Sequence, residues 1–229
     1  MKVANFGLDI GPGKRKYTCE CFDKLVKKFT PKKETPYAVE FIGQEYIKAD
    51  VIVFDSNKKL DFVFLDLEKI ENRLLRTDDA KEKEFLARLQ GILEKETLLC
   101  DCEFSEIELV LLKNLTPVTY KPCVGKPDAS DMNSLIEELL HKSGMILFFT
   151  VCEKEVRAWE LKKGSNIVEA AGKIHTDLAR GFIKADIVSC KDLDKFYNMA
   201  EARAKGFVKT VDRDYIMEEG NIIEIKFSV

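Results

Sequence analysis

Residues 144–161, GMILFFTVCEKEVRAWEL, decide the fold of the C-terminal part of this sequence. Two runs rich in apolar, aromatic and β-branched residues, 145–151 and 155–161, are separated by only three residues. Such residues favour a pleated, half-buried strand, and a short connection favours antiparallel pairing. The stretch therefore predicts a β-hairpin.

The sequence on the C-terminal side of this hairpin adds a helix and two strands. An Asn-x-x-Glu pattern at Asn166 and Glu169 predicts the start of a helix over 166–172. Residues 182–189 predict another strand, and the alternation of apolar and charged residues over 222–227 predicts a last strand with one buried face. The resulting ββαβ order is typical of a compact β-grasp (ubiquitin-like) module.

The N-terminal part predicts a small α/β layer. Residues 2–6, 37–42 and 49–54 predict strands, and a Gly-Pro-Gly turn at 11–13 is expected to lead into a helix. In that helix Phe22, Leu25 and Phe29 share one face, and the opposite face carries Lys24, Lys27 and Lys28.

Residues 65–115 predict an inserted antiparallel helical hairpin. Helical spacing of leucines stops at residues 77–79 and resumes at Phe85, and Ser105 with Glu108 forms a capping box for a third helix. A strand is predicted at 118–120 and a helix over 131–142, with Gly144 as its stop signal. The fold class is thus α/β (α+β overall), with domains at 1–143 and 144–229.

Charge is distributed unevenly along the chain. The net charge is −3, yet residues 1–33 hold nine Lys and Arg against three acidic residues, or +6. The overall charge excludes a protein that coats nucleic acid nonspecifically, but the basic N-terminal segment could contact phosphate. The apolar runs fall short of the roughly 20 residues of a membrane-spanning helix, and no signal-peptide core is expected at the N-terminus.

Seven cysteines form an odd set at a low density. This usage predicts reduced thiols and a cytoplasmic location. Cys19, Cys21, Cys100 and Cys102 could supply four thiolates to zinc, but Cys-x-Cys spacing is not that of a zinc knuckle, and no metal is expected.

Several C-terminal motifs closely resemble the TGS domain that ends the YchF (Obg-like) ATPases. They are Phe148-Phe149-Thr150, the run from Lys154 to Trp159, Ala170-Ala171-Gly172 with Ile174-His175-Thr176-Asp177, Arg180-Gly181-Phe182-Ile183 with Ala185, Asp214-Tyr215-Ile216, and the run from Glu219 to Ile223. Looser similarity at Pro31-Lys32-Lys33, Val39-Glu40-Phe41, Asp66-Leu67-Glu68 and Glu71-Asn72-Arg73-Leu74 extends it to the N-terminal part. The resemblance implies a shortened nucleotide-binding domain, a helical hairpin, a TGS domain and an association with ribosomes.

The nucleotide-binding motifs of that family are incomplete in this sequence. A P-loop needs Gly-x4-Gly-Lys-[Ser/Thr], whereas Gly7 and Gly13 enclose five residues and Arg15 follows Lys14. The family's Asp-x-x-Gly and Asn-x-x-Glu motifs are replaced by residues 42–45 and 121–126. Because phosphoryl transfer needs all of these parts, the sequence predicts lost NTPase activity, no catalytic residues and no cofactor.

The sequence therefore predicts a non-catalytic protein that binds RNA or a ribosome-associated partner in translation-linked regulation. Candidate contact residues are Lys24, Lys27, Lys28, Arg157, Trp159, His175 and Arg180. One alternative is residual ATP or GTP binding or hydrolysis at the loop 11–16 through Gly13 and Lys14. A second is a protein-binding regulator that acts through the helical hairpin, and an open sheet edge could also pair two copies in a homodimer.

Overall fold

A computed structural model describes residues 1–228, which divide into two compact units. The N-terminal unit contains residues 1–15 and 39–143, and the C-terminal unit contains residues 16–38 together with the chain from 144 onward. The expected domain 1–143 therefore differs from the structure at residues 16–38. These residues include the predicted basic helix, which belongs to the C-terminal unit.

Eleven strands and eight helices follow one another along the described residues. They are β1 (Lys2–Phe6), β2 (Gly13–Tyr17), α1 (Glu20–Phe29), β3 (Lys33–Thr35), β4 (Tyr37–Phe41), β5 (Val51–Asp55), α2 (Lys59–Leu74), α3 (Ala80–Leu93), α4 (Glu106–Leu115), β6 (Cys123–Lys126), α5 (Met132–Lys142), β7 (Met145–Val151), β8 (Glu155–Lys162), α6 (Ile167–Ile174), α7 (Thr176–Arg180), β9 (Phe182–Ser189), α8 (Met199–Ala204), β10 (Lys209–Val211) and β11 (Asn221–Phe227). None of the helices in residues 1–228 has the length and apolar content to span a membrane.

The N-terminal sheet has the strand order β2-β4-β1-β5-β6. β1 is parallel to both β4 and β5, and β5 is parallel to β6. Parallel strands of this kind are buried on both faces, and Val51 to Phe54 of β5 are all buried. β4 lies on one side of β1, and the next strands along the chain, β5 and β6, lie on its other side. The direction in which strands are added to the sheet therefore reverses between β1 and β5.

Helices α2, α3 and α4 pack with this sheet around a common apolar core. Phe62 of α2 is fully buried and its ring stacks on Phe54 of β5 at 4.9 Å between centroids. Asp79 caps α3 by accepting hydrogen bonds from the N–H groups of Lys81 and Glu82. The predicted capping box of Ser105 and Glu108 is present at the start of α4.

The strand predicted at residues 118–120 is wrong. These residues form a 3₁₀ turn, Val118–Tyr120, that is held by the buried carboxylate of Asp66 in α2. The carboxylate accepts hydrogen bonds from the N–H of Val118 at 2.9 Å, and from the N–H and hydroxyl of Thr119, each at 2.7 Å. Because Asp66 satisfies these donors, the segment needs no neighbouring strand.

The C-terminal sheet has the order β10-β9-β11-β7-β8-β3. β7 and β8 form the predicted hairpin, β11 lies between β7 and β9, and β3 from the N-terminal part of the chain pairs in parallel with β8. Asn166 and Glu169 form the predicted capping box of α6.

Both faces of the C-terminal sheet are covered. Ile146, Phe148 and Leu161 contribute to the core that contains α6. The alternate residues of the same strands, among them Phe149 and Val156, are also buried, and α1 contacts β7 and β8. Since successive side chains point to opposite faces, α1 accounts for the second covered face.

A buried carboxylate joins β9 to its neighbours in the C-terminal unit. Asp186 is 1% exposed and accepts hydrogen bonds from Thr210 at 2.6 Å and Arg203 at 2.7 Å, with Lys226 at 2.9 Å. Burial alone would raise its pKa, but the hydrogen bonds from Thr210, Lys226 and Arg203 outweigh burial and lower the pKa to about 2. Asp186 is therefore ionised at neutral pH and is held by two cations.

Candidate functional site

The carboxyl ends of the parallel strands β1 and β5 meet at one edge of the N-terminal sheet. Gly7 follows β1 with φ of +80°, and a Cβ atom there would lie 3.1 Å from both the Asp55 Cβ and the Lys58 Cδ. Only glycine combines this left-handed backbone with such a close approach. In open α/β sheets, ligands bind outside the carboxyl ends of the strands where the strand order reverses, which is the position of Gly7.

The turn after β5 supplies the polar groups of this edge, which is called the sheet-edge site below and comprises Gly7, Asp55 and Lys58. Asp55 accepts hydrogen bonds from the backbone and side-chain N–H groups of Asn57 at 2.9 and 3.0 Å. Lys58 is exposed and directly precedes α2. The site therefore offers a carboxylate and a cation beside a glycine turn at the start of a 16-residue helix.

Asn5 shapes the loop that carries Gly7. It is buried, and its side-chain amide donates to the carbonyl oxygen of Leu8 at 2.7 Å and of Ile10 at 3.3 Å. Its side-chain oxygen accepts from the N–H of Leu8 at 3.3 Å. The sequence interpretation missed Asn5, Asp55 and Lys58, although an Asn at the end of a strand and an Asp-Ser-Asn turn after another strand signal this edge.

The loop at residues 11–16 differs from the prediction. The turn leads into the edge strand β2, and the helix starts only at Glu20. Gly13 has φ of +132°, Lys14 is exposed, and the Arg15 guanidinium donates to the carbonyl oxygens of Gly11 and Lys14, each at 3.3 Å. No helix N-terminus directly follows Lys14, so the amides that a P-loop helix would offer to phosphate are not placed there.

Two of the three candidate lysines on α1 hold this helix within the C-terminal unit. Lys24 forms ion pairs with Asp194 and Glu20, each at 3.0 Å. Lys28 donates to the carbonyl oxygens of Leu193 and Phe196, and its ammonium lies 4.5 Å from the Phe196 ring centre. Lys27 is exposed, so it is the member of this group best placed for a partner.

Arg157 and Trp159 are brought together on β8. The Arg157 guanidinium lies 3.8 Å from the Trp159 ring centre, and the indole N–H donates to the Thr150 hydroxyl at 3.0 Å. The indole is also stacked with Phe148 at 6.3 Å. Since Trp159 is partly buried and covered by Arg157, a base would have to displace the guanidinium in order to stack on the indole.

His175 and Arg180 lie at opposite ends of the short helix α7. The Nδ1 of His175 accepts from the N–H of Asp177 at 3.1 Å and so caps the helix. Arg180 lies 3.8 Å from the Asp177 carboxylate, and its side chain is 77% exposed. His175 is thus placed as a helix cap, while Arg180 remains accessible.

The prediction of seven reduced cysteines is wrong for one pair. Cys21 of α1 forms a disulfide with Cys190, which follows β9. The prediction failed because residues 169 positions apart in sequence meet only in the folded chain. Cys21 is therefore not available as a zinc ligand, and among residues 1–228 no cluster of three or more His, Cys, Asp or Glu could hold a metal.

Comparison with known proteins supports the resemblance noted from the sequence. Residues 145–228 match the family model described as YchF-GTPase_C, protein of unknown function (DUF933). The ribosome-binding ATPase YchF of Mycoplasma genitalium is 32% identical over 162 residues, which cover 69% of this chain and 43% of that protein. The chain is thus similar to YchF proteins over most of its length, and its C-terminal part matches the YchF C-terminal domain model.

Other YchF relatives extend this comparison. The ribosome-binding ATPase YchF of Bacillus subtilis is 27% identical over 80% of this chain and 68% of its own length. Obg-like ATPase 1 of Gallus gallus is 43% identical over 81 residues, which cover 35% of this chain and 20% of that protein. The chain spans about two fifths of the length of the Mycoplasma genitalium YchF.

A solved structure confirms the mixed α/β fold. The Schizosaccharomyces pombe YchF GTPase matches with a TM-score of 0.76 at 16% identity, and the match covers 99% of this chain and 97% of that chain. At this identity the match shows the fold alone.

The expectation that this chain is not an enzyme is contradicted. Three YchF relatives, 27 to 34% identical over 65 to 80% of this chain, are named ATPases, and the matching structure is titled a GTPase. The expectation rested on the incomplete P-loop, Asp-x-x-Gly and Asn-x-x-Glu motifs of this sequence, and the names of these relatives point to an NTPase instead.

Proposed function

We propose that this chain is a ribosome-associated NTPase of the YchF type that acts in the cytoplasm. In this proposal the N-terminal unit binds the nucleotide at the sheet-edge site, and the C-terminal unit contacts the ribosome or its RNA. The names of the relatives, ribosome-binding ATPase and Obg-like ATPase, support both parts.

The observation that carries the nucleotide site is the close approach of Gly7 to Asp55 and Lys58. A glycine without a side chain lets a phosphate approach the backbone, and a lysine offers a charge to it. The position at the reversal of the strand order is the one at which open α/β sheets bind nucleotides.

Each group of the sheet-edge site has a role in this proposal. Lys58 neutralises phosphate charge, with Gly13 and Lys14 of the neighbouring loop as further phosphate contacts. Asp55 fits a magnesium ion that arrives with the nucleotide, because magnesium typically takes one or two protein carboxylates together with phosphate oxygens and water. The bound ion would neutralise charge that develops on the transferred phosphoryl group.

The C-terminal unit supports the assignment of a β-grasp domain of the TGS type. Its first strand β7 and last strand β11 are adjacent and parallel, the β7–β8 hairpin precedes α6, and β9 lies on the other side of β11. Lys27, Arg157 and Arg180 are its proposed contacts with RNA phosphate. Trp159 packs against the Arg157 guanidinium, and His175 caps the helix that carries Arg180.

Nucleotide binding and hydrolysis test the first part of the proposal. We expect saturable binding of ATP or GTP in the presence of magnesium, with phosphate release above a buffer blank. Lys58→Ala should weaken binding about tenfold, since a charge-assisted hydrogen bond is worth roughly 1.5–3 kcal/mol. Lys83→Ala removes an exposed lysine from α3 and serves as the control. Equal binding by both variants would reject the sheet-edge site.

Co-sedimentation with ribosomes tests the second part. Binding should weaken steeply between 50 and 200 mM salt, because phosphate contacts release counterions. The double variant Lys27→Ala and Arg180→Ala should pellet less than the control Lys191→Ala, which removes another exposed lysine of the C-terminal unit. Sedimentation that is independent of salt and of these residues would instead indicate a contact that does not involve RNA phosphate.

A further inference from the structure

A cavity of about 650 Å³ lies among the helices α2, α3 and α4 of the N-terminal unit. This volume is within the range of about 300–1,000 Å³ that is usual for small-molecule sites. The cavity shares no lining residue with the sheet-edge site, so it is a separate feature of the same unit.

One side of the cavity is apolar. Phe85 and Leu86 of α3 are buried, and Leu111 and Leu115 of α4 are half-buried. Their side chains provide a surface against which a flat, weakly polar ring can be desolvated.

The part of the cavity lining that comes from α2 and the turn after it is basic. Lys69 and Arg73 are one helical turn apart on α2, and Arg76 follows three residues later in the turn that ends the helix. All three cations line the cavity, and Lys69 and Arg73 share one face of α2 because positions i and i+4 are neighbours on a helix. Asn72 and Asn114 add side-chain amides that can donate or accept.

The acidic groups near these cations are already engaged. Glu82 accepts from Arg73 at 2.8 Å and also from the Thr77 hydroxyl. Asp66, 4.0 Å from Lys69, is fully buried and accepts three hydrogen bonds from residues 118–119. Arg76 is exposed and forms no ion pair among residues 1–228, which leaves a guanidinium for a ligand.

We infer that this cavity binds a nucleoside phosphate, with the base on the apolar side and the phosphate on Arg76 and Lys69. A guanidinium binds phosphate through two parallel hydrogen bonds, and the asparagine amides match the donors and acceptors of a base edge. The ligand is either a free nucleotide or an unpaired nucleotide of an RNA strand, because both present the same base and phosphate.

Fluorescence anisotropy distinguishes these sources. The full chain is titrated into a ribose-labelled ATP analogue and, separately, into a labelled 12-nucleotide uridine RNA. Arg76→Ala should weaken binding of one probe about tenfold, since it removes a charge-assisted contact, while the exposed control Lys83→Ala should leave it unchanged. Asn114→Ala tests the same cavity from α4 and should reduce affinity of the same probe about threefold.

The outcomes separate this inference from the proposed sheet-edge site. An effect of Arg76→Ala on the mononucleotide in a chain that also carries Lys58→Ala identifies a free-nucleotide site in the cavity. An effect only on the RNA probe identifies an RNA contact. Binding that responds to Lys58→Ala but to neither Arg76→Ala nor Asn114→Ala overturns the inference and leaves the proposed function intact, and absence of binding by both probes overturns it as well.

Discussion

Replacement of Asp186 by asparagine should destabilise the C-terminal unit in a pH-dependent way. The pKa of Asp186 falls from an ordinary value of 3.8 to about 2 in the folded chain. One pKa unit corresponds to about 1.4 kcal/mol, so ionised Asp186 contributes roughly 2.5 kcal/mol to stability at pH 7. Asp186→Asn should remove most of this contribution.

The sign of the pH dependence follows from a folded-state pKa that lies below the unfolded-state pKa. The stabilisation is fully present above about pH 5 and is lost as the pH falls toward the folded pKa near 2. At pH 3 the difference between wild type and Asp186→Asn should be roughly half of its value at pH 7. Arg203 and Lys226 are 54% and 50% exposed, so water can solvate both cations in the variant.

Urea unfolding followed by tryptophan fluorescence measures this effect, because Trp159 is the single tryptophan and lies in the C-terminal unit. Curves at pH 7, 5, 4 and 3 give the free-energy difference between wild type and variant at each pH. Asp212→Asn is the matched control. Asp212 is 73% exposed and its ion pair with Lys184 is long, at 3.8 Å, so it should contribute little to stability. A difference below about 0.5 kcal/mol at pH 7, or one that does not change between pH 7 and 3, would refute the reasoning.

Three further substitutions have expected outcomes. Gly7→Ala should lower the unfolding free energy by roughly 1–3 kcal/mol and weaken nucleotide binding, because φ is +80° and a Cβ would press on Asp55; unchanged thermal unfolding would show that the turn relaxes freely. Cys21→Ser should reduce stability by roughly 2–4 kcal/mol under oxidising conditions and have little effect in reductant, since it removes the disulfide with Cys190; equal losses in both conditions would point to packing instead. Phe62→Ala should cost roughly 3–5 kcal/mol in denaturant unfolding because its fully buried ring stacks on another aromatic ring, and a loss below about 1 kcal/mol would contradict this core assignment.

The elements that the sequence predicted correctly have local, periodic signals. The β7–β8 hairpin, the capped starts of α4 and α6, and the buried face of α5 each depend on residues within one or two turns of the chain. Side-chain periodicity reports directly on which face of an element is buried, so these predictions needed no knowledge of distant contacts.

The errors arise where distant parts of the chain decide the structure. Val118 resembles a strand residue by composition, but the carboxylate of Asp66, 52 residues earlier, takes its N–H. The pattern of α1 is that of an amphipathic helix whether its lysines face solvent or another segment of the chain. Only the fold shows that Lys28 donates to the carbonyl oxygen of Phe196. The three contacts of Asp186 likewise come from residues on α8, β10 and β11.

A P-loop motif and the edge of a parallel sheet are fixed by different parts of the sequence. The Gly-x4-Gly-Lys motif specifies a loop that wraps a phosphate and is followed by a helix. In this chain the corresponding loop leads into the strand β2. The parallel order of β4, β1, β5 and β6 is set by the burial of whole strands. It fixes where the strand ends converge, independently of the sequence of the loops. Gly7 is held against Asp55 and Lys58 by that order, so a defect in the motif does not remove the edge at which a nucleotide could bind. In the proposed function, nucleotide binding depends on the charges at the end of β5, so measurements on Lys58 and Asp55 test the proposal more directly than measurements on Lys14.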